Sequence, residues 1–165
     1  MNQVLIYGFG NPGRQDDGLG PEVIRRLESE HLPGVITDSN YQLNIEDAVA
    51  VAESDAVIFV DAALHVDEPF AFCRLTPASE ITFTTHAMSP ESVLALCEDI
   101  YGKIPPAYIL AIKGYEWEMA TPMTEQAKGN LEQAYSFIRE LVLKQSLQAF
   151  DENAVPSGCL NATVQ

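Results

Sequence analysis

The sequence predicts an α/β protein built on a mostly parallel sheet flanked by helices, and three observations carry that expectation. Short β-rich runs alternate along the chain with segments of helical periodicity. The first run, residues 4–7, is nearly all apolar, as befits a strand covered on both faces. The chain has 165 residues, 47% of them hydrophobic. One domain of that length buries roughly 70% of its extended-chain surface, so its core needs neither disulfides nor a structural metal.

Residues 4–7 read as the opening strand, followed by a glycine-rich loop over residues 8–20. Pro21 suits the first turn of a helix, whose buried face comes from Val23, Ile24 and Leu27. Pro33 and Gly34 break the chain before a second strand at 35–38. Ile45, Ala48, Val49 and Ala52 form the stripe of a short second helix, and residues 56–60 a third strand that Asp61 should end. Residues 70–75 read as a further strand, a candidate antiparallel edge. Ser89 and Pro90 are an N-cap and first-turn pair. They open a helix with Val93, Leu96, Cys97 and Ile100 inward, and the last strand follows at 107–113. Thr124 then caps a long helix with Ala127, Leu131, Ala134, Ile138 and Leu141 at spacings of four and three. One domain is expected over residues 1–145. The periodicity dissolves after Ser146, which predicts a flexible tail over 146–165.

The net charge of −15 repels phosphate backbones and anionic lipid, which argues against nucleic acid and membrane surfaces as partners. It names no partner, since an acidic solvated surface has the same composition. Cys73, Cys97 and Cys159 form no C-x-x-C pair. They read as two core thiols and a tail thiol in a reducing compartment. The uncharged start and the shortness of the longest apolar run, 107–112, predict neither a signal peptide nor a membrane span. A cytoplasmic protein is expected.

Ligands in open parallel sheets bind beyond the carboxyl ends of the strands. Three segments with metal-ligand chemistry are expected there. GFGNPGRQDDGLG (8–20) carries Asp16 and Asp17, VDAA (60–63) carries Asp61, and TTHAMSP (84–90) carries His86. Two carboxylates and an imidazole suit a borderline divalent ion such as zinc or nickel, with positions left open for substrate or water. Each residue also has a plainer reading. Asp61 fits strand-end turn chemistry. Asp16 and Asp17 could solvate a loop or complement the dipole of the following helix. His86 could be a helix-entry or core histidine, and His31 and His65 read as surface residues.

Gly8, Gly10 and Gly13 also match G-x-G-x-x-G after a strand, with Asp38 near the place of a ribose-binding acid. In that motif the helix begins within the glycine loop, and its N–H groups hold the pyrophosphate. Here helical periodicity starts only near Pro21, and Asp16 and Asp17 bring two negative charges opposed by Arg14 alone. Phosphate binding is disfavoured.

Taken together, the opening strand with G-x-G-N, the D-D-G-x-G-P continuation, the V-D-A turn, T-T-H-x-M-S-P and the long closing helix resemble the nickel-iron hydrogenase maturation endopeptidases. The resemblance spans residues 3–143. YQLNIEDA (41–48) and PPAYILAIKGYEWE (105–118) are similar to the branch serving soluble, NAD-reducing hydrogenases. The resemblance implies a three-layer α/β sandwich with a mostly parallel, five-stranded twisted sheet and helices on both faces. It implies an endopeptidase that removes a C-terminal extension from the nickel-loaded large-subunit precursor. The family's metal ligands fall on Asp17, Asp61 and His86. Ser39, Asn40 and Tyr41 stand where many relatives have a glycine-rich turn, which bears on substrate identity.

Neither Cys73 nor Cys97 lies in a reactive-looking loop, so hydrolysis should be metal-assisted, with nickel supplied by the precursor. Asp16 could orient the Asp17 loop or accept a proton, and Asp38 is a more distant supporting candidate. Two alternatives stand beside the peptidase: a dinucleotide-binding oxidoreductase using the Gly8-Gly10-Gly13 loop, and a non-enzymatic nickel metallochaperone.

Overall fold

The computed structural model describes residues 3–79 and 88–156. Five strands form one sheet: β1 (Val4–Phe9), β2 (Val35–Asn40), β3 (Ala56–Ala63), β4 (Phe70–Leu75) and β5 (Ala107–Lys113). Their order is β2-β1-β3-β5-β4. All neighbours pair in parallel except β4, which runs antiparallel on β5 at the edge. This is the α/β architecture anticipated from the sequence.

Among the described residues five helices accompany the sheet: α1 (Leu19–Glu30), α2 (Asp47–Glu53), α3 (Pro90–Tyr101), α4 (Glu125–Leu143) and α5 (Leu147–Asn153). Strand alternation divides the core in two. Val4, Ile6, Ile58 and Val60 pack with α1, α4 and Phe150 of α5. Leu5, Tyr7, Val57 and Phe59 pack with α2 and α3 on the opposite face. Every residue of β3 is buried, because it lies between β1 and β5 with helices on both sides.

The capping residues act as the sequence predicts. Ser89 accepts a hydrogen bond from the Ser92 N–H, and Thr124 from the Ala127 N–H. Three expectations change. The buried face of α2 is Ala48, Val51 and Ala52, whereas Ile45 precedes the helix and Val49 is exposed. In α3 the inward face takes Leu94, and Ile100 points to solvent. Over residues 146–156 the chain packs onto the fold. Ser146 caps α5, Phe150 is fully buried against Tyr108, and Val155 bridges to Cys73 beside β4.

The cysteines also differ from the sequence reading. Cys97 is free and buried, but Cys73 is disulfide-bonded. Scattered spacing said nothing about which thiols the fold brings together. No helix among the described residues is long and apolar enough to cross a membrane.

Candidate functional site

The chain leaves β1 toward β2 on one side and returns to β3 on the other. A topological switch therefore lies between β1 and β3, and the crevice beyond their carboxyl ends is where such sheets bind ligands. The loop after β1 reaches into it through a 3-10 turn, Gln15–Gly18, which holds Asp16 and Asp17.

Two glycines let the loop and α1 sit this close. A Cβ on Gly20 would meet the Val60 carbonyl oxygen at 2.6 Å and the Phe9 carbonyl oxygen at 2.8 Å. Gly10 has φ 142°, and a Cβ there would lie 2.1 Å from the Asp17 carbonyl oxygen. The loop thus folds back so that Gly10 lies directly against the Asp17 backbone.

Asp17 is fixed from inside the loop. Its carboxylate accepts the Asn11 N–H at 2.8 Å, and its own N–H donates to the Arg14 carbonyl at 3.1 Å. The Gly13 N–H donates to the Asn11 side chain at 2.9 Å. These are N–H groups that a dinucleotide loop would offer to phosphate. Here protein oxygens take them, α1 begins only at Leu19, and Asp38 is exposed at the sheet edge.

Asp61 is not at the end of its strand. It lies inside β3, paired with Ala111 of β5 and only 9% exposed. Burial pushes its carboxyl well above the usual carboxylate range, and the negative charge of Asp17 pushes further, against a hydrogen bond from the Ala62 N–H. No salt bridge among the described residues involves either aspartate. Two carboxylates near enough to couple electrostatically, one deeply buried, are chemistry that a divalent cation would neutralise.

Asp16 turns the other way. It is fully buried, and its carboxylate accepts from the N–H groups of Tyr115, Glu116 and Thr124 and from the Thr124 hydroxyl. His86 lies outside the described residues, and among the described residues no three His, Cys, Asp or Glu side chains form a metal-binding group. Cys97 offers no nucleophile: it donates to the Ala48 carbonyl, and burial pushes its thiol up to about 11. Sequence reasoning missed Thr124 as part of this region, because its capping role explained it locally.

The switch-point crevice with its paired carboxylates sits on a fold shared with hydrogenase maturation proteases. The solved protease HycI from Thermococcus kodakarensis is 24% identical, with a TM-score of 0.66 over 87% of this chain and 93% of its own. The maturating endopeptidase HybD from E. coli is 18% identical, with a TM-score of 0.69 over 87% and 94%. HycI from Escherichia coli is 21% identical, with a TM-score of 0.65 over 85% and 91%. No family model matches the chain, and neither does any curated protein. At these identities the likeness is one of fold.

Proposed function

We propose that this chain is an endopeptidase that removes the C-terminal extension of a nickel-iron hydrogenase large-subunit precursor once nickel has been inserted. Asp17, Asp61 and His86 would be the ligands that meet the precursor's nickel. The observation that supports this reading is the electrostatic coupling of Asp61 to Asp17, neither of which has a salt-bridge partner among the described residues. A docked precursor presenting a divalent cation would relieve their mutual repulsion, so binding itself would report that the metal is in place. The fold shared with solved maturation proteases supports the same reading.

The residues divide the task. Asp17 is aimed by the Asn11 N–H, and Asp61 is held rigidly within a central strand. Carboxylates set this way bind the substrate's metal without reorganising, which places the neighbouring peptide bond in the crevice. A bound divalent ion supplies Lewis acidity, polarising the scissile carbonyl or acidifying a water. The thiols do not compete: Cys97 is buried and protonated, and Cys73 is disulfide-bonded. The reading goes with a cytoplasmic protein.

The test is a mass shift. Incubation with nickel-loaded precursor should release a C-terminal peptide, and Asp17→Asn, Asp61→Asn and His86→Gln should each abolish that release. His31→Gln and His65→Gln should cut normally. Retained cleavage by the Asp61 variant removes the assignment. Binding of the precursor without any mass loss points to a metallochaperone instead.

A further inference from the structure

Asp16 and Thr124 join the glycine loop to the start of α4, and four hydrogen bonds end on the Asp16 carboxyl. The Thr124 N–H donates to one Asp16 carboxylate oxygen at 2.8 Å. The other oxygen accepts from the Thr124 hydroxyl at 2.9 Å, the Tyr115 N–H at 2.8 Å and the Glu116 N–H at 3.2 Å. The Thr124 hydroxyl meanwhile caps α4, a helix of 19 residues, by accepting the Ala127 N–H. Asp16 is thus a buried carboxyl group at a helix N-terminus, held by four donors and by no salt bridge among the described residues. Flanking contacts follow the same path. Gln15 accepts from the Glu118 N–H, Arg14 donates to the Trp117 carbonyl, and the Ala120 N–H donates to the Gly13 carbonyl.

We propose that Asp16 and Thr124 form a latch that positions Asp17, clamping the glycine loop to the start of α4 so that the next residue faces Asp61. This inference rests on the peptidase reading for its catalytic consequence. Neighbouring side chains of a 3-10 turn project roughly 120° apart, so an anchor on Asp16 sets the direction of Asp17. The latch requires a carboxylate. An amide has one accepting oxygen, so in either orientation of Asp16→Asn its NH₂ faces at least one of the N–H donors. Neither residue touches substrate in this account, and both act through Asp17.

Asp16→Asn, Thr124→Val and Thr124→Ser are to be compared with wild type on nickel-loaded precursor, well below each melting temperature. The asparagine variant should lose about 100-fold in kcat, as a displacement near 1 Å of a reacting group does. KM should stay within about threefold, because the docking surface is unchanged. Thr124→Val should fall in the same sense by about tenfold, and Thr124→Ser, which keeps the hydroxyl, should stay near wild type. Hydrogen exchange at the Asn11 amide, which reports the bond to Asp17, should quicken about tenfold in the first two variants and not in the serine variant. Unchanged Asn11 protection, or folded Asp16→Asn with wild-type kcat, overturns the latch. Absent cleavage by wild type strikes the peptidase reading, while Asn11 exchange still decides the latch.

Discussion

Gly10→Ala and Gly129→Ala make the same chemical change at two places where the structure demands opposite outcomes. At Gly10 the new Cβ would lie 2.1 Å from the Asp17 carbonyl oxygen, and φ is 142°. Ordinary contact begins near 3.4 Å, so the loop must retreat by about 1.3 Å. A shift of that size at the proposed ligand Asp17 predicts a loss of about 100-fold in cleavage rate. Backbone strain adds about 1–3 kcal/mol of destabilisation, which for a chain of this length lowers the melting temperature by about 2–12 °C. Gly129 is exposed within α4, with nothing within 4 Å of an added Cβ. Alanine there should stabilise by about 1 kcal/mol through helix propensity and leave cleavage unchanged. Calorimetry and the precursor mass shift read both effects. A Gly10→Ala protein that cuts at the wild-type rate would refute the reasoning, since Asp17 would then tolerate displacement.

Three further outcomes follow from other parts of the molecule. The folded state holds the Asp61 proton more tightly than the unfolded chain, because burial and then Asp17 raise its pKa. Ionisation therefore costs stability as pH rises from the ordinary carboxyl value toward the raised one, and Asp61→Asn removes that cost. The metal-free variant should melt higher than wild type at neutral pH, with the gap closing in acid; equal melting at both ends contradicts the burial argument. Phe150→Ala should cost about 3–5 kcal/mol, lowering the melting temperature by about 6–20 °C, because Phe150 is fully buried in the core. A change within about 0.5 kcal/mol would restore a loosely attached tail. Saturating NAD or NADP should leave the melting temperature unmoved, whereas a true ligand at about 100 times its Kd stabilises by ~2.7 kcal/mol.

What could be read in advance depended on how locally each feature is encoded. The strand at 107–113 and the helix capped by Thr124 were legible because an apolar run and a sustained 3.6-residue period announce them directly. Helix α5 has seven residues and one large apolar side chain that is buried, too little for a period to register. β3 continues past Asp61 because Ala62 and Ala63 are small enough to stay buried beside β5, whereas aspartate suggests a strand end. Asp17 and Asp61 were legible as chemistry at strand ends, but their electrostatic coupling appears only once β1 and β3 are neighbours. Asp16 was the hardest to assign. Its side-chain partners lie 99 to 108 residues away, so nothing near it in sequence separates an anchor from a proton acceptor.

The central claim is that the metal arrives with the substrate, and one paired measurement tests it most directly. The proposed ligands Asp17, Asp61 and His86, with no thiolate among them, would make a weaker cage than four-ligand structural zinc sites. The purified, chelator-treated protein should therefore retain no stoichiometric metal by elemental analysis. Given to it side by side, nickel-loaded precursor should lose its C-terminal peptide and nickel-free precursor should stay intact. Metal retained through chelation, together with efficient cutting of the nickel-free precursor, would contradict the account and make this an ordinary metallopeptidase.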